Sequence, residues 1–181
     1  MPKDMNAGAF TDLKARFNAV RSRTEALAAV FTAEDLCVQT MPDVSPGKWH
    51  LAHVTWFWET FLLKPGQAGY TPFDPRFNYL FNSYYEAVGE RHARPERGFL
   101  TRPGLNEVLA YRAHVDRAVS AWFDQADAEA VQAFRLLRIL AESIYVTLLG
   151  ISDFLSRQLR HRFYLFGAYC HGDTAVVCAL A

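Results

Sequence analysis

Apolar side chains recur at steps of three and four residues along most of the chain, and this period restricts the fold more than any other feature. A step of this size places side chains on one face of an α-helix. Near the N-terminus the stripe consists of Phe10, Leu13, Phe17, Val20, Thr24, Leu27 and Phe31. We therefore predict an amphipathic first helix, with Thr11 as its candidate N-cap.

Three further segments show the same helical pattern. They are a helix from Lys48 to about Lys64, a helix with the stripe Leu105, Val108, Val115, Val119 and Trp122, and a last helix with the stripe Phe134, Leu137, Ala141, Ile144, Leu148, Ile151 and Leu155. No segment shows the convincing alternation of a half-buried strand. The sequence therefore predicts an all-α protein, built as an antiparallel four-helix bundle.

Short motifs predict where helices begin and end. Thr32-Ala-Glu-Asp35 has the spacing of a capping box, and Ser45-Pro46 reads as N-cap and first residue of the second helix. Pro65-Gly66 can end that helix. An aromatic run from Phe77 to Val88 predicts a short helix, which Gly89 can end.

The segment from Gly89 to Gly104 is rich in arginine and interrupted by prolines. We expect it to be irregular. With the aromatic helix it forms the crossover of the bundle, which thus contains a short helix and an Arg-rich loop. Arg94 and Arg97 lie on this loop. A guanidinium pair suits bidentate capture of a carboxylate or phosphate, and a solvated surface loop is the alternative.

Composition excludes several classes of function. The 181 residues, of which 51% are hydrophobic, suit one domain with a single core. Nineteen basic and nineteen acidic side chains cancel, so no overall field steers the protein to nucleic acid or an anionic membrane. Cys37, Cys170 and Cys178 suggest neither a disulfide scaffold nor a metal knuckle, and we expect a reducing cytoplasm. The apolar run 163–181 carries His171 and Asp173, which disfavour membrane insertion.

The densest candidate for chemistry is the segment 48–59, where His50 and His53 lie one helical turn apart. Two imidazoles alone do not form a metal site, because a catalytic centre normally needs about three protein ligands. One buried, hydrogen-bonded histidine beside a solvated one is therefore the alternative to ligation. No phosphate-binding loop, GxGxxG turn or GxSxG elbow supports a nucleotide-dependent enzyme or a serine hydrolase.

Three runs of sequence together resemble a known enzyme family. They are Asp35-Leu-Cys-Val-Gln-Thr-Met-Pro-Asp-Val-Ser-Pro-Gly-Lys-Trp-His-Leu-Ala-His53, Pro72-Phe-Asp-Pro-Arg-Phe-Asn-Tyr-Leu-Phe-Asn-Ser-Tyr-Tyr-Glu-Ala-Val-Gly89 and Arg94-Pro-Glu-Arg97-Gly. From about Ala33 to about Phe123 the chain resembles the N-terminal DinB-like helical domain of the ergothioneine-biosynthesis sulfoxide synthases. This resemblance implies a DinB-like domain in 1–133, followed by the last bundle helix and a divergent tail in 134–181.

The resemblance also implies a reaction. The family uses non-haem Fe(II) and dioxygen to join the sulfur of a cysteine-containing thiol to the imidazole of trimethylhistidine, forming a sulfoxide. It implies that His53 is an iron ligand, that His50 is only its neighbour, and that Arg94 and Arg97 hold substrate carboxylates.

The sequence departs from the family where the remaining iron ligands are expected. The family places a His-x-x-x-His-x-Glu pattern on its last bundle helix, whereas this chain has no histidine between His114 and His161. A large C-terminal domain of the family also has no room in 181 residues. We therefore expect an incomplete iron site and an inactive isolated chain, so whether it is an enzyme stays open.

Two other functions remain open. In the first, the chain is a non-catalytic DinB-like helical module that contacts a protein partner through an apolar tail. This tail begins after about Ala133, and we expect that it was replaced or read out of frame. In the second it is a DinB-like metal-dependent thiol transferase, which needs a histidine triad that the sequence does not supply.

Overall fold

In a computed structural model of the chain, the part that the structure describes comprises residues 4–83, 85–127 and 130. Within it the regular structure is helical and contains no β-strand, so the predicted all-α class is confirmed. The α-helices are α1 (Asp4–Ala28), α2 (Gly47–Trp58), α3 (Lys64–Gly66), α4 (Phe77–Phe81) and α5 (Leu105–Gln125). The predicted last helix, from Phe134 to Leu155, and the rest of the segment 134–181 lie outside the described residues.

The helix α2 is the central element of the described fold. Every one of its side chains except that of His50 is buried. A helix that is buried on all sides must be covered by other elements around its whole circumference. It continues through a π-helical turn, Glu59–Leu63, into α3, whose last residue is Gly66. The predicted stop at Pro65-Gly66 is therefore confirmed.

The neighbouring helices cover α2 with apolar and aromatic side chains. Val108, Val115 and Val119 of α5 are fully buried, as their helical spacing predicts. On the α1 side, the ring of Phe17 meets the ring of Trp58 edge to face, with 4.8 Å between centroids. Edge-to-face pairs of this kind add to the free energy gained from burial alone.

A buried network of charges joins α1, α2 and α5. Arg21 donates from Nη2 to the Thr55 hydroxyl at 2.8 Å, and its Nε lies 2.7 Å from Oδ1 of Asp116. Arg112 is fully buried and donates from Nε to Glu25 at 3.2 Å. Burial, together with the nearby Arg112, lowers the pKa of Arg21 to about 9. Arg21 therefore remains charged at neutral pH, and the partners of both arginines set the position of α1 against the central helix.

The capping box predicted at Thr32 is confirmed. The Thr32 backbone N–H donates to the Asp35 carboxylate at 3.1 Å, and the Asp35 N–H donates to the Thr32 hydroxyl at 3.2 Å. The 3₁₀ turn Asp35–Cys37 begins there. This reciprocal pair fixes the end of the loop that leads from α1 towards the central helix.

Three other predicted boundaries were wrong. Thr11 is not an N-cap, because α1 already begins at Asp4. Ser45 does not cap α2, whose N-cap is Pro46, because the Ser45 hydroxyl accepts a hydrogen bond from an arginine side chain instead. The aromatic helix does not run from Phe77 to Val88. It stops at Phe81, where Asn82 turns to an extended conformation, and a separate 3₁₀ turn spans Glu86–Val88.

A buried carboxylate ties the π-helical turn to the rest of the fold. Glu59 is 1% exposed. Its Oε1 accepts from the Tyr70 hydroxyl at 2.7 Å and from the Phe73 N–H at 3.2 Å, and its Oε2 accepts from the Tyr111 hydroxyl at 2.9 Å. A buried polar group is tolerated at low cost only when its hydrogen-bonding positions are filled. These donors therefore fix the turn against α5 and the loop that follows α3.

We predict that Tyr111→Phe lowers the free energy of unfolding by about 2 kcal/mol, because it leaves Oε2 of Glu59 buried without a donor. The measurement is urea unfolding followed by circular dichroism. Tyr79→Phe is the control, since Tyr79 is 43% exposed. Equal unfolding free energies for the two variants would show that the Glu59 network does not contribute.

Candidate small-molecule site around His53 and Arg97

His53 lies in a stack of aromatic rings on α2. The imidazole is 4.7 Å from the ring centroid of Trp49 at an interplanar angle of 12°, and 5.5 Å from that of Trp56 at 18°. The helix causes this arrangement, because residues at i, i+4 and i+7 lie above one another on one face. The indole N–H groups of Trp49 and Trp56 donate to Leu80 and Asn78, which holds both rings in place.

The hydrogen bond at Nδ1 determines which nitrogen of His53 carries the proton. Nδ1 lies 2.7 Å from the carbonyl oxygen of Phe81. Because a carbonyl oxygen can only accept, Nδ1 is the donor. Nε2 of the neutral ring then keeps its lone pair, and it has no hydrogen-bond partner in the described part of the chain. Histidines that bind metals use this form, with the second nitrogen held by a carbonyl or carboxylate.

The charge state of both histidines follows from their surroundings. Burial lowers the pKa of His53 to about 4; its hydrogen bond to Phe81 opposes that shift, while Arg97 adds to it. The pKa of His50 is lowered to about 3, first by burial and then by His53, Arg97 and Arg94. Both imidazoles are therefore neutral at physiological pH. His53 is buried and hydrogen-bonded, as both ligation and its alternative require, and His50 is only partly buried.

Arg97 extends the stack by one layer. Its guanidinium carbon lies 3.5 Å from the centroid of the Trp49 ring, and the residue is only 3% exposed. Nη1 donates to the Ser45 hydroxyl at 2.8 Å, and Nη2 donates to the Asn82 carbonyl at 3.4 Å. No carboxylate pairs with Arg97 among the residues that the structure describes.

The electrostatics at Arg97 favour an anion. Burial, together with Arg94 and Arg91, lowers the pKa of Arg97 to about 9, so the guanidinium is still charged at neutral pH. A buried charge without a counter-ion is unfavourable, and a bound carboxylate or phosphate removes that cost. The local surroundings of Arg97 therefore favour an anion, although the protein has no net charge.

Arg94 and Arg97 lie on a 3₁₀ helix, Arg94–Phe99, and the prediction of an irregular loop was wrong at this point. Pro95 occupies the first turn, where its fixed φ favours a helical start. Because residues i and i+3 eclipse in a 3₁₀ helix, Arg94 and Arg97 are on the same side of it. Arg94 also donates to the Asp43 carbonyl at 3.3 Å. The structure thus brings together His50, His53 and both arginines, although more than forty residues separate the two pairs in sequence.

The described residues do not by themselves fit an iron site. No group of three histidine, cysteine, aspartate or glutamate side chains within residues 4–83, 85–127 and 130 could hold a metal ion. His53 offers one suitable nitrogen. The segment beginning at Phe134, where the resemblance locates the other ligand positions, lies outside the described residues. The Fe(II) cofactor and the incompleteness of its site therefore stay predictions.

Sequence reasoning missed three residues that support the site. The buried Lys48 donates from Nζ to the carbonyls of Leu100 and Pro103, the latter at 3.1 Å, and so anchors the end of the arginine segment. Asn82 is fully buried and donates to two backbone carbonyls. Gln39 hydrogen-bonds to the arginine segment itself. All three lie inside the runs quoted for the family resemblance or next to them, but polar residues of this kind have no periodic signature.

Comparison with known families agrees with this architecture. A model of the DinB superfamily matches residues 16–149, a range that includes every residue of the site, and the chain belongs to that superfamily. The DinB-like all-α fold is therefore confirmed. No curated protein matches the chain in sequence. Among the described helices, none combines the length and the apolar character needed to cross a membrane.

We predict that stability falls as the pH is lowered from about 6.5 towards 4. His53 has a pKa of about 4 in the folded chain against an ordinary value of 6.5, so the unfolded chain binds more protons in this window. At 1.36 kcal/mol per pKa unit, His53 contributes about 3 kcal/mol to the free energy of unfolding at neutral pH, and this contribution is lost by about pH 4. Urea unfolding at pH 7.5, 6.0, 5.0 and 4.0 measures it.

The variant His53→Gln should show a smaller loss over the same range, because the amide does not titrate but can still donate to Phe81. His114→Gln is the control, since His114 lies outside the stack. If His53→Gln loses as much stability on acidification as the unmodified chain, His53 is not the group responsible.

Proposed function

We propose that this protein is a DinB domain of the ergothioneine sulfoxide-synthase type, and that it binds a cysteine-containing thiol through the thiol's carboxylate at Arg94 and Arg97. The stack of Arg97, Trp49, His53 and Trp56 carries this proposal. It holds a buried guanidinium that has no carboxylate partner among the described residues, together with a neutral imidazole, in one rigid assembly. A rigid cation and a lone-pair donor in such an arrangement suit a ligand with an acidic group and a second reactive group.

The chemistry of the implied substrates supports the assignment. A cysteine-containing thiol and trimethylhistidine both carry a carboxylate, which a guanidinium recognises through two parallel hydrogen bonds. The resemblance assigns this role to Arg94 and Arg97. Their shared side of one 3₁₀ helix is the arrangement that a bidentate or bridging contact requires.

Within this proposal His53 is one iron ligand and the isolated chain does not turn over. Bound Fe(II) would supply dioxygen activation in the family reaction. The described residues contribute a single nitrogen to such a site, and retention of a metal ion depends strongly on the number of ligands. We also place the protein in a reducing cytoplasm, which agrees with the free thiol of Cys37.

A non-catalytic DinB-like module is the second candidate. The lack of a histidine between His114 and His161, where the resemblance expects two iron ligands, favours it. In that case the apolar segment after Ala133 contacts a protein partner, and the arginine pair has no small-molecule ligand. Thiol binding therefore separates the two functions.

We predict that the chain binds 3-mercaptopropionate at least tenfold more tightly than cysteamine, which has an amine in place of the carboxylate. Arg97→Gln should abolish this preference, because it removes the buried cation. Arg102→Gln, at an exposed arginine five residues after Arg97, serves as the matched control. Titrations followed by ¹⁵N NMR measure both affinities, and equal binding of the two thiols by the unmodified chain would favour the non-catalytic module.

We predict that the chain retains well under one iron per molecule after anaerobic loading with Fe(II) and gel filtration. One imidazole donor is too few to hold the ion through the separation. His53→Ala should lower the residual binding further, and His114→Ala should not change it. Retention of about one iron per chain would show that the donor set is complete and that the predicted incompleteness was wrong.

A further inference from the structure

The side chain of Gln39 makes hydrogen bonds to two separate stretches of backbone. Its Nε2 donates to the carbonyls of Val44 at 2.8 Å and Arg94 at 2.9 Å, and its Oε1 accepts from the N–H of Gly98. Both amide hydrogens are therefore used. Because one end of the amide contacts two acceptors and the other contacts a donor, its orientation is fixed.

These partners lie on both sides of the arginine pair. Arg94 and Gly98 are the first and fifth residues of the 3₁₀ helix Arg94–Phe99 that carries the two guanidinium groups. Val44 precedes Ser45, whose hydroxyl accepts from Nη1 of Arg97. Gln39 thus fixes two segments of backbone. One is the 3₁₀ helix that carries the arginines, and the other is the segment next to Ser45, which accepts a hydrogen bond from Arg97.

The fit between Gln39 and the arginine segment is tight. A Cβ atom added at Gly98 would lie 2.7 Å from Cβ of Gln39 and 2.8 Å from its Oε1. The first of these contacts involves the base of the side chain, which cannot move aside as a flexible end can. Any residue larger than glycine at position 98 must therefore push Gln39 and the 3₁₀ helix apart.

We propose that Gln39 is a positioning residue that sets the distance and orientation of Arg94 and Arg97 for a bound carboxylate. This inference rests on the proposed carboxylate recognition. Gln39 acts only through the backbone, since its amide contacts neither guanidinium group. Its loss should therefore disturb recognition of the carboxylate while the helices and their core remain intact.

The test uses the full chain with Gln39→Met, which keeps the length of the side chain and removes its hydrogen bonds. We expect 3-mercaptopropionate to bind about tenfold more weakly and cysteamine to bind as before. Without ligand, the ¹⁵N signal of Arg97 Nε–H should shift, whereas the indole signal of Trp58 should not. Gln125→Met, at an exposed glutamine near the end of α5, is the matched control.

Gly98→Ala perturbs the same contact from the other side and carries the test if Gln39→Met does not fold. The two changes combined should cost less affinity than the sum of their separate effects, because they break one contact. The proposal is overturned if a folded Gln39→Met chain keeps its preference for the carboxylate, or if both thiols weaken equally. If the unmodified chain binds both thiols equally well and Arg97→Gln changes neither affinity, the proposed function fails and this inference fails with it.

Discussion

The contact between the Arg97 guanidinium and the Trp49 ring, at 3.5 Å, is the interaction on which the candidate site depends. Face-on contact lets an aromatic ring stabilise a cation that has lost most of its water. The same ring stacks nearly parallel to His53, which keeps a positive charge close to that imidazole. Arg97 therefore favours an anion nearby and, at the same time, helps to keep His53 neutral.

This arrangement requires a rigid central helix, and the burial of α2 provides it. The face of the helix that carries Trp49, His53 and Trp56 meets the crossover only if the helix does not rotate about its axis. Three sets of polar contacts fix the helix at different points along its axis. They are the hydrogen bond from His53 to Phe81, the bonds from Lys48 to the end of the arginine segment, and the network around Glu59. Polar groups thus determine the rotation of a helix that apolar contacts alone would hold less specifically.

The fold was largely predictable because apolar spacing determines helices, and Val108, Val115 and Val119 of the predicted α5 stripe are fully buried. The boundaries at Ser45 and Phe81 were not predictable. The Ser45 hydroxyl caps a helix only if no stronger donor takes it, and Arg97, fifty-two residues away, does so. The proximity of His53 to Arg97 likewise depends on tertiary packing of the crossover, which no local pattern encodes. Only the family resemblance pointed to both residues together.

The two halves of the proposed chemistry come from different parts of the sequence. Carboxylate recognition uses the arginine pair, which Gln39 and Lys48 fix from the first half of the chain. The resemblance assigns the other iron ligands to the last bundle helix, where this sequence has no histidine. The hydrogen bonds of Arg97 in the described part of the chain go to Ser45 and Asn82, and neither residue lies in that segment. The proposal therefore separates two requirements, because thiol recognition depends on the crossover, whereas catalysis depends on donors that the resemblance assigns to the last bundle helix.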